Sequence, residues 1–204
     1  FFLLIALTPR ACPANGMEGD LNVRAADQPA EVGRARALRL DVGCGSGRSY
    51  PFNPAAEGPD VVCLDIEVPI GPVKGHNFVA ADAHYLPFRS CAFSEVYMMH
   101  VLEHLEEPHK AVREAHRVLA PGGKLVLEVP GMFSRVFELD PSHKWRFSPF
   151  GLRELLSCFS EVRIRPEGIS PKMVPFGPLR LLLARWLPKV PWFLCEYLAC
   201  SCVK

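Results

Sequence analysis

The feature that most constrains this chain is a short apolar run, ALRLDV at 37–42, that ends beside an acid and passes at once into a glycine-rich turn, GCGSG at 43–47. A strand that runs into Gly43, Gly45 and Gly47 must change direction sharply and let its backbone come close to a ligand, with no β-carbon in the way. That arrangement belongs to an open α/β sheet, whose ligands sit beyond the carboxyl ends of the strands. A glycine turn after a strand could also serve a nicotinamide dinucleotide. That fingerprint, G-x-G-x-x-G, would start at Gly43 and needs its third glycine at position 48, which is Arg48.

Downstream, apolar runs and turn residues alternate as they do in β-α-β units that build a parallel sheet. Strands are expected at 37–42, 60–66 (DVVCLDI), 77–81, 94–99 (SEVYMM), 124–129 (KLVLEV) and 161–165, the fifth entered through Pro121-Gly122-Gly123. The clearest helix is 108–119, where Ala111, Val112, Ala115, Val118 and Leu119 recur at helical spacing. A second is expected over 148–158, with Ser148 at the N-cap, Pro149 in the first turn and Leu152, Leu155 and Leu156 along one side.

The 204 residues suit one domain with its own core. Twenty-three basic and 22 acidic side chains nearly cancel, which leaves no broad positive field for a nucleic-acid backbone. The eight cysteines form no C-x-x-C pair and mostly lie within apolar runs, as reduced thiols of a cytoplasmic protein do.

With those residues in view, the stretch resembles class I S-adenosylmethionine (AdoMet)-dependent methyltransferases, of the small-molecule, type 11-like group. DVGCGSG at 41–47 resembles their first motif, LDIE at 64–67 the end of their second strand and ADAHYLPF at 81–88 the end of their third. SEVYMMHVLEHL at 94–105 and HRVLAPGGKLVL at 116–127 resemble the segments around their fourth and fifth strands. The resemblance covers 37–129 closely and 140–156 more loosely.

It implies a doubly wound, mostly parallel sheet of seven strands in a Rossmann-like fold, the seventh (198–203) returning antiparallel beside the fifth. It also implies AdoMet as cofactor, held by Asp41, Gly43, Cys44, Gly45, Gly47, Asp65, Ile66, Asp82, Ala83, Met99 and His100. Asp65 would bind the ribose hydroxyls and Asp82 the adenine amino group, although a single acid at a strand end is more often a turn residue. The acceptor is expected to be a small or lipid-like molecule. Nucleic-acid amino methylation would by resemblance require an N/D/S-P-P-aromatic motif after the fourth strand, and MMHVLEH has none.

Methyl transfer asks mainly for alignment and removal of a proton from the acceptor, and histidine suits the second task near neutral pH. His100, His104 and His143 are the candidates, each weighed against a structural role, with Trp145 and Phe147 as a possible apolar wall or simply core. His100-Val101-Leu102-Glu103-His104 also matches H-x-x-E-H, a zinc-protease signature. It is set aside, and no metal is expected, because a peptidase needs the motif within a long helix and a third ligand downstream.

Prolines 51 and 54, and then 69 and 72, leave room for only short first helices. Residues 1–16, opening with FFLLIAL, are set apart as a non-core extension of a domain spanning 17–204. The segment 169–197 mixes Leu, Trp and Phe with a few basic residues and is cut by prolines, so it cannot form one spanning helix. It is expected to be a hydrophobic cap over the acceptor entrance, resting on a membrane surface or packing on the sheet or on a second copy in a homodimer. A binding protein of the same fold that holds AdoMet without turnover is the competing expectation.

Overall fold

The computed structural model describes residues 37–45, 58–68, 77–134, 140–170, 174, 176–186 and 191–204. The expectations for residues 1–16, for Gly47 and for the prolines at 51, 54, 69 and 72 lie outside the described residues.

Seven strands form one sheet: β1 (Arg39–Val42), β2 (Val61–Asp65), β3 (Asn77–Ala80), β4 (Phe93–Met99), β5 (Leu119–Pro130), β6 (Glu161–Glu167) and β7 (Tyr197–Val203). Their order is β3-β2-β1-β4-β5-β7-β6. All neighbours are parallel except β7, which runs antiparallel to both β5 and β6. The chain winds outward from β1 through β2 to β3, then returns to lay β4 on the other side of β1. The point of reversal lies between β1 and β4, where sheets of this kind hold their ligands.

Register keeps the strand ends level. Val42 stands opposite both Leu64 and Met98, and Asp65 opposite Ala80, so the turns after β1, β2, β3 and β4 emerge along one edge. The core lies on the face where Leu40, Val42, Leu64, Val96, Met98, Leu125 and Leu127 meet the apolar side of α1 (Pro108–Val118). Ala111, Val112, Ala115 and Val118 supply that side, as their spacing requires.

Boundaries differ from the sequence reading where pairing decides them. β5 begins at Leu119 because Leu119 pairs with Phe93 ahead of the glycine turn. β6 continues to Glu167 because β7 pairs with it that far. Helix α2 (Pro149–Leu155) starts as expected, Ser148 Oγ accepting from the Gly151 N–H, but it leaves helical geometry at Leu156. Helix α3 (Gly177–Trp186) occupies the proline-cut segment. No helix of the described residues is long and apolar enough to cross a membrane.

Cysteines 44, 63, 158, 195, 200 and 202 are free thiols, but Cys91 is disulfide-bonded, against the expectation of a wholly reduced set. Cys91 lies half-buried in the turn that leads into β4.

Candidate active site

The glycine turn is anchored to β2 by the Gly43 and Cys44 N–H groups, which donate to the Leu64 carbonyl at 2.7 and 3.2 Å. Gly43 and Gly45 both take left-handed backbone angles (φ 73° and 64°), costly for residues with a β-carbon. Gly43 has a second requirement: a β-carbon there would collide with Val101, which follows β4. The first and fourth strand-end turns therefore pack directly on one another.

Asp65 closes the turn from the side. Its Oδ2 accepts from the Gly45 N–H at 2.8 Å and its Oδ1 from the Glu67 N–H at 3.0 Å. Each carboxylate oxygen can accept a further bond. Beside it Ile66 is 70% exposed just past the end of β2. Cys44 turns its thiol inward to Cys63. The neighbouring Cys63 thiol, with burial, pushes the Cys44 thiol up, and its Sγ donates to the Gly45 carbonyl at 3.5 Å.

Asp82, at the end of β3, is oriented by His84. Oδ1 accepts both the His84 N–H at 2.8 Å and the ring Nδ1–H at 2.6 Å, while His84 Nε2 accepts from the Glu107 N–H at 3.2 Å. Burial opposes ionisation, but these bonds and the nearby Lys110 prevail and hold the carboxyl below its ordinary value. Behind it, Glu114 and Arg117 of α1 grip the loop. Glu114 Oε2 accepts from the Leu86 N–H (2.9 Å), and Arg117 donates to the Leu86 and Phe88 carbonyls (2.9 and 2.7 Å).

The three candidate histidines meet beyond β4. Lys144 N–H and Trp145 N–H both donate to the Glu103 carbonyl, at 2.7 and 3.3 Å, which pins the loop carrying His143 onto the turn carrying Glu103 and His104. The rings of His104 and His143 pack edge to face with centroids 4.7 Å apart. His104 Nδ1 lies 2.8 Å from Ser142 Oγ, and that hydroxyl donates to Asp140 Oδ1 at 2.6 Å. The hydroxyl must accept from His104, so Nδ1 carries a proton, and it is Nε2 that bears the lone pair whenever the ring is neutral. Burial and the neighbouring His104 hold His143 below the ordinary histidine value, which keeps it neutral.

His100 departs from the expectation of a base poised near neutrality. Its Nδ1 lies 3.3 Å from Glu103 Oε1 and its Nε2 2.9 Å from Glu128 Oε1. Burial disfavours the charged ring, but the two carboxylates outweigh it and raise His100 to about 9. Its φ of 56° is the strain accepted to place the ring between them. Phe147 is core and Trp145 is partly exposed, with Nε1 donating to the Leu105 carbonyl at 2.7 Å.

Sequence reading did not single out Glu114, Arg117 or His84 as supports of the cleft, nor the Asp140–Ser142 brace. The Glu-x-x-Arg spacing on α1 was a visible signal of a helical ion pair, but its grip on Leu86 depends on tertiary contact alone.

Three kinds of similarity bear on this cleft. A family model described as a methyltransferase domain matches residues 40–127. A demethylmenaquinone methyltransferase of Thermus thermophilus is 31% identical over 161 residues, 72% of this chain and 71% of that protein. One from Renibacterium salmoninarum is 40% identical over 94 residues, 43% of this chain and 39% of that protein. The chain spans about half the length or less of the first curated relatives it matches. A crystal structure of a SAM-dependent methyltransferase from Archaeoglobus fulgidus shares the fold, with TM-score 0.58 and 20% identity over 83% of this chain and 87% of that one. By sequence and by strand order, the chain belongs to the class I AdoMet-dependent methyltransferases, whose cofactor is AdoMet.

Proposed function

We propose that the protein transfers a methyl group from AdoMet to a small-molecule or lipid-like acceptor. The observation that carries this reading is the shared edge. The glycine turn, Asp65, Ile66 and Asp82 lie on one side of the reversal between β1 and β4, and the histidine cluster follows β4 on the other. AdoMet supplies an activated methyl on a sulfonium, and what the chain's own residues add is position and handling of the acceptor's proton.

In this reading Gly43, Cys44 and Gly45 offer backbone to the cofactor, with Asp41 and Gly47 flanking them. Asp65 takes the ribose hydroxyls, Ile66 covers the adenine face, Asp82 with Ala83 meets the adenine amino group, and Met99 and His100 line the methyl side. The acceptor approaches His104 and His143, where its proton leaves. Relatives named for small acceptors, demethylmenaquinone and 27-O-demethylrifamycin SV, support that acceptor class.

Helix α3 supports an apolar acceptor or surface. Leu179, Leu182, Leu183 and Trp186 recur at helical spacing along one stripe, and Leu179, Leu182 and Trp186 are 45%, 52% and 74% exposed. We read 169–197 as the cap expected from sequence, with this stripe meeting a membrane surface.

Thermal denaturation with AdoMet, its demethylated product or NAD tests the cofactor. A ligand at 100 times its Kd adds about 2.7 kcal/mol, so AdoMet raises Tm and NAD does not. Labelled AdoMet incubated with a lysate, followed by mass spectrometry of the labelled product, then identifies the acceptor. Binding without consumption of donor would instead make this a non-catalytic AdoMet-binding protein.

A further inference from the structure

We propose that Glu103, His104 and His143 form a binding site for one divalent transition-metal ion. One carboxylate oxygen of Glu103 and one ring nitrogen from each histidine all lie within 4.8 Å of one another. A tetrahedral site with bonds of about 2.0–2.1 Å holds its ligands roughly 3.4 Å apart. A modest contraction therefore completes the geometry.

Glu103 gives the independent reason to place a cation there. Its side chain is wholly buried. Oε1 faces His100, whereas Oε2, also buried, takes no hydrogen bond among the described residues. A buried carboxylate oxygen without a donor is strongly disfavoured, and a metal ion supplies what is lacking.

Both sides of the site are braced. His104 presents Nε2 because Nδ1–H is given to Ser142, itself tied to Asp140. Glu103 is oriented through His100 to Glu128. Chains of this kind, ligand to polar group to carboxylate, are how proteins fix metal ligands in position.

The sequence objection to H-x-x-E-H was the lack of a long helix and a third ligand. In the folded chain the motif lies in a turn, with the His104 N–H donating to the Val101 carbonyl at 3.0 Å. The third ligand is His143, brought from the loop before α2, and His100 faces Glu103 and Glu128 instead. Two imidazoles and a carboxylate are the donor set of open zinc sites, which leave a fourth position for an oxygen. That oxygen would be the acceptor's: with a metal bound, His104 and His143 would serve as ligands in place of bases, and the acceptor's proton, made more acidic by the metal, would pass to solvent water. This last role rests on the methyl-transfer reading; the site does not.

The test uses the full chain, stripped with a chelator and then given zinc alone or cobalt(II) alone. Calorimetry should find one equivalent, cobalt(II) should show the visible bands of four-coordinate geometry, and X-ray absorption of the zinc form should show imidazole and oxygen ligands without sulfur. His104→Ala and His143→Ala should each lose the site, Ser142→Ala at the surface should weaken it about tenfold, and His109→Ala on the exposed side of α1 should leave it unchanged. Sulfur ligands in the unaltered protein, no stoichiometric binding, or equal affinity in folded His104→Ala and His143→Ala variants would overturn the proposal. Stoichiometric metal on these ligands with no methyl acceptor found would uphold the site and remove only the reaction assigned to it.

Discussion

Gly43 and Val101 pack so closely that the valine Cγ2 occupies the space where a β-carbon on the glycine would stand. The turn expected to hold the cofactor and the turn that begins the histidine cluster are thereby packed directly against each other. Gly43→Ala should destabilise the protein by more than the ~1–2 kcal/mol cost of a left-handed L-residue, because the collision adds to it. Combining it with Val101→Ala should remove the collision and leave the conformational cost. A double-mutant cycle by thermal denaturation checks this, and strictly additive changes would show that the two turns do not touch.

Asp65 serves two backbone donors as well as any ligand. Asp65→Ala should lower AdoMet affinity by tens-fold or more in calorimetry, since two charge-assisted bonds carry about 1.5–3 kcal/mol each. Asp65→Asn, which keeps one acceptor oxygen for Gly45 or Glu67, should lose less. Full affinity in the alanine variant would move the ribose contact to Glu67.

Glu114 is held below the ordinary carboxylate value of 4.5, chiefly by its bond to Arg117 and against some burial. A carboxyl with a depressed folded-state value stabilises the protein fully above its unfolded value, and loses that contribution as pH falls through the folded one. Tm should therefore drop on acidification below about pH 4.5, and Glu114→Gln should flatten that drop. Arg117→Ala should cost about 2–3 kcal/mol at neutral pH, because the Leu86 and Phe88 carbonyls and the carboxylate lose a charged donor. Parallel acid limbs in wild type and Glu114→Gln would assign the loss to other carboxylates.

The stripe on α3 should bring the protein down with anionic vesicles at low salt, and Leu182→Asp with Trp186→Asp should release it. Sedimentation with and without vesicles decides. A wild-type protein that stays in the supernatant but runs as a dimer, converted to monomer by the same changes, would place a second copy on the stripe instead.

Much of this architecture was legible before folding, because it rests on local signals. The apolar runs ending at Val42, Asp65 and Met99, the spacing of Ala111, Val112, Ala115 and Val118, and the Ser148-Pro149 start of α2 each declare themselves within a few residues. The antiparallel β7 beside β5 came from resemblance, not from its own pattern. What stayed hidden depends on contacts across the chain. His100 reads as a base until Glu128, on the neighbouring strand, takes its other nitrogen. His143 reads as a candidate base with nothing in the sequence to set it beside His104, until the Glu103 carbonyl gathers Lys144 and Trp145 and brings the two rings together.

The position of β7 between β5 and β6 orders events during synthesis. β6 joins the sheet through β7 alone, yet it leaves the ribosome first, with α3 still to come before its partner. For that interval its backbone donors and acceptors are open to any passing strand. Charges at every second position, Glu161, Arg163, Arg165 and Glu167, with Pro166 among them, make it a poor template for another chain. The same pattern that marks β6 as an edge in the finished protein guards it while it waits.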